Sequence, residues 1–355
     1  MKTNVVGGVA MPHAPQFFTR PETEDPAMIE RIRSLAADIG KKLKALKPDV
    51  WIVIANDHAN QFLLHCVPPF TFHRGREARG SFAGTEFRYQ VASEVSTALI
   101  RYLQDEQFDP AFSSTAGIDY AFGIPLTFLG VKGPIIPLYI NSYIPPQPRM
   151  ERCYALGQAI ARGLAVIGVR AVVVASGGLS HFPGTKRYGN PDLAFDKKLM
   201  AEIECGHLRA LLAFDDRRLD DTGNVELRSW AIAAGMLAER RPDLTSLEPS
   251  WHHTYGTVAW YAEVEPPSEK PHYPEIHPER VALTEALHRL ANNPEERERY
   301  LADPKAYAAM QNLSAPEQIV LVNLGEEDML GLGIHPLVTF LARLELDRQR
   351  LGKGG

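Results

Sequence analysis

The chain has 355 residues, 45% of them hydrophobic, and a formal net charge of -5 with a pI near 6.2. That length accommodates one large domain and a smaller one, and the acidic balance, with Lys and Arg scattered rather than striped, excludes nucleic acid and anionic membrane as expected partners. Cys66, Cys153 and Cys205 are odd in number and widely spaced, Met1–Val9 does not read as a signal peptide, and no apolar run approaches the ~18 residues of a membrane helix, so a cytoplasmic protein without a disulfide framework is expected.

Residues Asn4–Ala10 read as a first strand. Pro26–Leu46 follows as a helix, with Ile29, Ile32, Leu35, Ile39, Leu43 and Leu46 on one face. The pattern then continues with a strand at Val50–Ala55, a helix at Glu94–Gln104, a strand at Ile135–Ile140, a helix at Met150–Ile167 and a β-branched strand at Ala171–Ala175. Such alternation predicts an α/β fold with a buried central sheet flanked by helices. Prolines 266, 267, 271, 274 and 278 mark a change of composition. We therefore expect a catalytic domain over 1–268, a linker over 269–279 and a small all-α domain over 280–355. The last is predicted to contain helices at Arg280–Asn292, Pro294–Ala302, Pro304–Gln311, Ala315–Asn323 and Leu337–Gln349.

Three segments place a histidine just beyond a predicted strand. His13 lies in Met-Pro-His-Ala-Pro, where the prolines fix an extended loop. His58 lies in Asn-Asp-His-Ala-Asn, with Asp57 and Asn60 expected to hold its tautomer and Asp57 an alternative ligand. His181 lies in Ser-Gly-Gly-Leu-Ser-His-Phe, whose glycines let the backbone come close to a site. Glu226 opens a predicted helix with the apolar stripe Leu227, Trp230, Ala234 and Leu237, capped from Thr222, Gly223 or Asn224. There it is either a carboxylate kept ionised by the helix dipole or an ordinary capping-box glutamate. Two histidines and a carboxylate suit a non-haem Fe(II) oxygenase, and zinc hydrolases use the same donor types. His181, with no acidic neighbour, suits a general acid/base. Ser180 lacks a GxSxG elbow, and Gly7-Gly8 falls short of GxGxxG.

These segments resemble the class III extradiol ring-cleaving dioxygenases, the family of protocatechuate 4,5-dioxygenase and gallate dioxygenase. The resemblance implies that His13, His58 and Glu226 bind Fe(II), and that His181 takes and returns a proton. It also implies that both atoms of O2 enter a hydroxylated aromatic or heteroaromatic ring, and that the enzyme is a homodimer. Residues Glu296–Leu344 resemble the small helical α subunit of protocatechuate 4,5-dioxygenase, fused behind the catalytic domain as in gallate dioxygenase. Many family members carry a histidine before Ala-Phe where this chain has Tyr120. A phenol with an ordinary pKa of about 10 is a poor base, which widens the substrate range from protocatechuate or gallate to a hydroxypyridine or pyridone. His252 and His253 fall where the family lines its pocket, and His335 lies in the helical tail. The competing readings are a metal-dependent hydrolase and a non-catalytic metal-binding protein on the same scaffold.

Overall fold

In a computed structural model the described residues are 4–63, 65–262, 273 and 275–352. The chain divides into two compact units, Met1–Val264 and Glu265–Gly355. The expected catalytic end at 268, and 269–272 and 274 of the expected linker, lie outside the described residues.

The first unit runs β1 Val5–Met11, α1 Gln16–Thr19, α2 Pro26–Ala45, β2 Val50–Asn56, β3 Phe70–His73, β4 Glu77–Phe82 and β5 Thr85–Gln90. It continues with α3 Ser93–Asp105, β6 Ala111–Ser113, α4 Tyr120–Phe128, β7 Ile135–Ile140, α5 Met150–Ile167 and β8 Ala171–Ser176. Then come α6 Leu193–Glu204, α7 Asp216–Thr222, α8 Leu227–Leu237, β9 Leu244–Pro249 and β10 Thr254–Trp260. Eight strands form one sheet in the order β6-β3-β7-β2-β8-β1-β10-β9, and β4 and β5 make a separate hairpin. The centre, β7-β2-β8-β1, is parallel, with helical crossovers through α2 between β1 and β2 and through α5 between β7 and β8, whereas β10 runs antiparallel to β1.

Helices cover both faces. Ile52, Ile54, Val173 and Ala175 pack with α3, α5 and α8 on one side. Trp51, Val53, Ala55, Val172 and Val174 pack with α2 and α4 on the other. That double burial is why these strands read as unbroken apolar runs. Local signals set the helix ends: Asp25 caps α2 by accepting from Ala27 N at 2.9 Å, Pro26 occupies its first turn, and Gly168 ends α5 at φ 78°.

The parallel strands β1, β2 and β8 end on the same side of the sheet, at Met11, Asn56 and Ser176, where crevices form in open α/β sheets. The second unit has helices α9 Val281–Asn292, α10 Pro294–Ala302, α11 Pro304–Ala309, α12 Ala315–Asn323, α13 Glu326–Gly331 and α14 Pro336–Gly352. They enclose their own core of Leu283, Leu287, Leu290, Tyr300, Tyr307 and Leu346. No described helix in either unit is long and apolar enough to cross a membrane.

Candidate metal and active site

His13 leaves β1 on the proline-bounded loop and is buried. Its Nδ1 lies 2.9 Å from Ser176 Oγ, and that hydroxyl donates to Ala121 O. The hydroxyl proton being committed, His13 Nδ1–H must be the donor, which leaves a lone pair on Nε2. His58, two residues beyond β2, sets its Nδ1 3.3 Å from Asp119 Oδ2, so its Nε2 also faces inward. Asp119 serves twice, since its Oδ1 accepts from Ala121 N at 2.9 Å and caps α4.

Two sequence expectations are corrected here. Asp57 neither orients His58 nor competes as a ligand: its carboxylate accepts from Gln61 N and Phe62 N, closing the turn after β2. Asn60 is exposed and makes no such contact with the ring. Nor do Thr222, Gly223 or Asn224 cap α8, because Gly223, at φ 71°, ends α7 and the Asn224 amide is turned to Asp196 Oδ1 at 3.0 Å. Glu226 itself stands at the N-cap position without a side-chain capping bond. Its carboxylate is left to the site, where Oε2 accepts from Gly178 N and Oε1 from Tyr143 Oη at 2.8 Å.

The inward atoms meet. His13 Nε2 and His58 Nε2 are 3.2 Å apart, and Glu226 Oε1 is 3.3 Å from the first and 3.4 Å from the second. The centre of a triangle with those edges is about 1.9 Å from each corner, near the roughly 2.0–2.2 Å of imidazole and carboxylate bonds to a divalent metal. Three lone-pair donors aimed at one point repel each other unless a positive charge sits between them, so the donor set fits a divalent cation. The electrostatics agree. Burial works against charging His58, yet hydrogen bonds to Asp119 and Glu226 outweigh it and raise its pKa to about 9, the mark of a site that favours positive charge. Burial alone would push the Glu226 carboxyl up, but the His13, His181 and His58 rings hold it well below the usual carboxylate range.

His181 stands beside this triangle. Its Nδ1–H donates to Leu179 O at 2.7 Å, so Nε2 is the basic atom, 3.0 Å from Tyr143 Oη and 3.8 Å from Glu226 Oε1. Burial lowers its pKa, favouring the neutral ring. Its plane stacks on His253, with centroids 4.1 Å apart and 7° between planes. Gly178 makes that stack possible: a Cβ there would lie 1.9 Å from His253 Nε2. His252 is turned the other way, with Nε2 2.9 Å from Glu24 Oε1, which also accepts from Trp251 Nε1 at 2.9 Å. The Tyr120 ring stacks on His58 at 4.8 Å, and burial raises the pKa of its hydroxyl, which stays a protonated donor rather than a base.

A cavity of about 360 Å³ joins the three triangle residues to His181, Tyr120, Tyr143, His252 and His253. The structure thus brings His13, His58, Glu226, His181, Tyr120, His252 and His253 to one cavity, and leaves Asp57 and Asn60 out of it. His335 belongs to the second unit, where its ring stacks on Tyr273. Sequence reasoning missed Asp119, Tyr143, Ser176 and Glu24. An Asp directly before an apolar run signals a cap, and Tyr143, three residues past β7, repeats the strand-end signal that exposed the histidines.

Residues 7–264 match the family described as the catalytic LigB subunit of aromatic ring-opening dioxygenase. Among curated relatives, a protein of Klebsiella pneumoniae (strain 342) is 28% identical over 242 residues, covering 67% of this chain and 72% of the relative. One from Escherichia coli O81 (strain ED1a) is 28% identical over 241 residues, covering 66% and 72%. Both are named 2,3-dihydroxyphenylpropionate/2,3-dihydroxicinnamic acid 1,2-dioxygenase. The crystal structure of an uncharacterised protein from Escherichia coli K12 superposes with a TM-score of 0.51 at 14% identity, over 72% of this chain and 99% of the other, a likeness of fold.

Proposed function

The chain belongs to the LigB family of catalytic subunits of aromatic ring-opening dioxygenases, and from that premise we propose that it is an Fe(II)-dependent extradiol dioxygenase in which His13, His58 and Glu226 bind the metal and His181 is the acid/base. The observation that carries this reading is the triangle of 3.2, 3.3 and 3.4 Å with the basic nitrogen of His181 beside it in one cavity. Two histidines and one carboxylate on a single side leave positions open for substrate and O2. When bound, Fe(II) would supply a Lewis acid and an electron path between an ortho-oxygenated ring and O2.

The chain's own residues do the rest. His181 Nε2, fixed as an acceptor by the Nδ1–H bond to Leu179 O, takes a proton from a substrate hydroxyl and returns it as the ring opens. Tyr120 keeps its proton and donates to a substrate oxygen, while the stack of His253 on His181 presents a flat, water-excluding wall. The substrate is an aromatic or heteroaromatic ring bearing adjacent oxygens, of the protocatechuate or gallate type or a hydroxypyridine or pyridone. A tyrosine donor at position 120 supports a substrate acidic enough to need no second base. The curated relatives, by their names, act on rings with two adjacent hydroxyls.

The test is oxygen uptake by Fe(II)-reconstituted, anaerobically handled protein across catechols, gallates and hydroxypyridones. Uptake with ring opening is expected for at least one class. No uptake with any of them, together with Zn(II)-supported hydrolysis, would replace this reading with a hydrolase.

A further inference from the structure

Tyr143 stands where the acid/base and the metal ligand set meet. Its Oη is 3.0 Å from His181 Nε2 and 2.8 Å from Glu226 Oε1. Counting hydrogens at these atoms gives an unequal sum. Glu226 Oε1 can only accept, and neutral His181, with its hydrogen on Nδ1 and donated to Leu179 O, can only accept at Nε2. One hydroxyl proton thus faces two acceptors, and one of them goes without. Among these three groups the sum closes when Nε2 also carries a hydrogen, in the chain Nε2–H to Oη and Oη–H to Oε1.

The hydroxyl is held there rigidly. Asn141 clamps the loop after β7, with its Nδ2 donating to Ile144 O at 2.6 Å and its Oδ1 accepting from Ile144 N at 3.0 Å. Arg228, fully buried two residues after Glu226, donates Nε to Pro148 O at 2.9 Å and pairs through Nη2 with Asp216 Oδ1 at 2.6 Å. The loop carrying Tyr143 is therefore tied to the helix start that carries Glu226.

We propose that Tyr143 is a positioning residue for the proton relay, its hydroxyl accepting from His181 Nε2–H while that nitrogen holds the substrate's proton and donating onward to Glu226 Oε1. The proton enters Nε2 from the substrate hydroxyl and leaves by the same nitrogen, and the hydroxyl proton of Tyr143 stays on Oη throughout. This rests on the ring-cleavage reading above, with His181 as its acid/base.

Tyr143→Phe keeps the ring and removes only the hydroxyl. It is expected to retain metal content and KM, to lower kcat at least tenfold, and to change the residual kcat by less than twofold when His181→Ala is already present. A second readout needs no turnover: 4-nitrocatechol bound anaerobically to the Fe(II) protein should show its deprotonated absorption, and Tyr143→Phe should return part of it to the protonated form. If wild type binds 4-nitrocatechol while Tyr143→Phe leaves both spectrum and kcat within twofold, the role of Tyr143 is overturned. A full tenfold loss in the His181→Ala background, or loss of metal from Tyr143→Phe, overturns it equally. Failure of wild type to bind 4-nitrocatechol, together with no oxygen uptake on any catechol, gallate or hydroxypyridone, strikes the ring-cleavage reading itself, and the proposal with it.

Discussion

Gly178→Ala is a one-carbon probe of the site's packing. The added Cβ would stand 1.9 Å from His253 Nε2 and 2.6 Å from Cε1, where ordinary contact begins near 3.4 Å, so about 1.5 Å must be found. The imidazole has nowhere to go, since it is stacked on His181 at 4.1 Å on one side and packed against Tyr255 at 4.5 Å on the other. The alternative is to move residue 178, whose N–H is bonded to Glu226 Oε2. Overpacking of this kind costs roughly 1–3 kcal/mol. For a domain of this size each kcal/mol lowers Tm by about 2–4 °C, so a fall of roughly 2–12 °C is expected, with turnover reduced because His181 moves with its stacking partner. Thermal and urea denaturation of the metal-free protein would measure it. The decisive comparison is a double-mutant cycle: His253→Ala makes room for the new methyl, so Gly178→Ala should cost much less in that background. An equal cost in both backgrounds, or a Tm within 1 °C of wild type in the single variant, would refute the steric argument.

Asp119→Ala removes the acceptor that fixes His58 and should weaken metal affinity about 10–100-fold, read by competition with a chelating dye; unchanged affinity would show that the ring needs no such support. Asp196 is buried, accepting from Ser180 N at 3.1 Å and Asn224 Nδ2 at 3.0 Å, and burial raises its pKa to about 7. Because the folded state holds this proton more tightly than the unfolded chain, stability from Asp196 is present below about pH 4 and lost as pH rises toward 7. The loss is on the order of a few kcal/mol, and Asp196→Asn should flatten that part of the urea-derived stability profile; an unchanged slope would contradict it. Tyr120→His substitutes a base for a donor and should shift the kcat/KM ranking toward less acidic catechols, whereas an unchanged ranking would deny Tyr120 a part in specificity.

The central sheet was legible because its strands are buried on both faces. Val-Trp-Ile-Val-Ile-Ala and Ala-Val-Val-Val-Ala admit few other structures, and β1, β2, β7 and β8 lie where the sequence puts them to within a residue or so. The outer strands were not legible. β3 and β6 have four and three residues, β9 is half-buried with no apolar face, and β10 carries a glycine and two threonines amid its apolar residues. Their state is decided by the neighbours they pair with, which local propensity does not report. The site divides in the same way. His13, His58, His181 and Glu226 each follow a strand or open a helix, so local pattern exposes them. The partners that orient them do not share that proximity: Asp119 is 61 residues from His58, Ser176 is 163 from His13, and Glu24 is 228 from His252. Asp57 illustrates the converse, since a neighbour in sequence was credited with a task that its own turn prevents.

The division of labour among four residues is the core of the account, and metal content tests it most directly. Wild type, His13→Ala, His58→Ala, Glu226→Ala and His181→Ala would be reconstituted anaerobically with Fe(II), freed of excess metal and analysed for bound iron beside their oxygen uptake. One iron per chain is expected in wild type and in His181→Ala, the latter with turnover lowered roughly 10²–10⁴-fold, and none in the other three. Equal iron loss in all four variants, or iron retained in all of them, would contradict it.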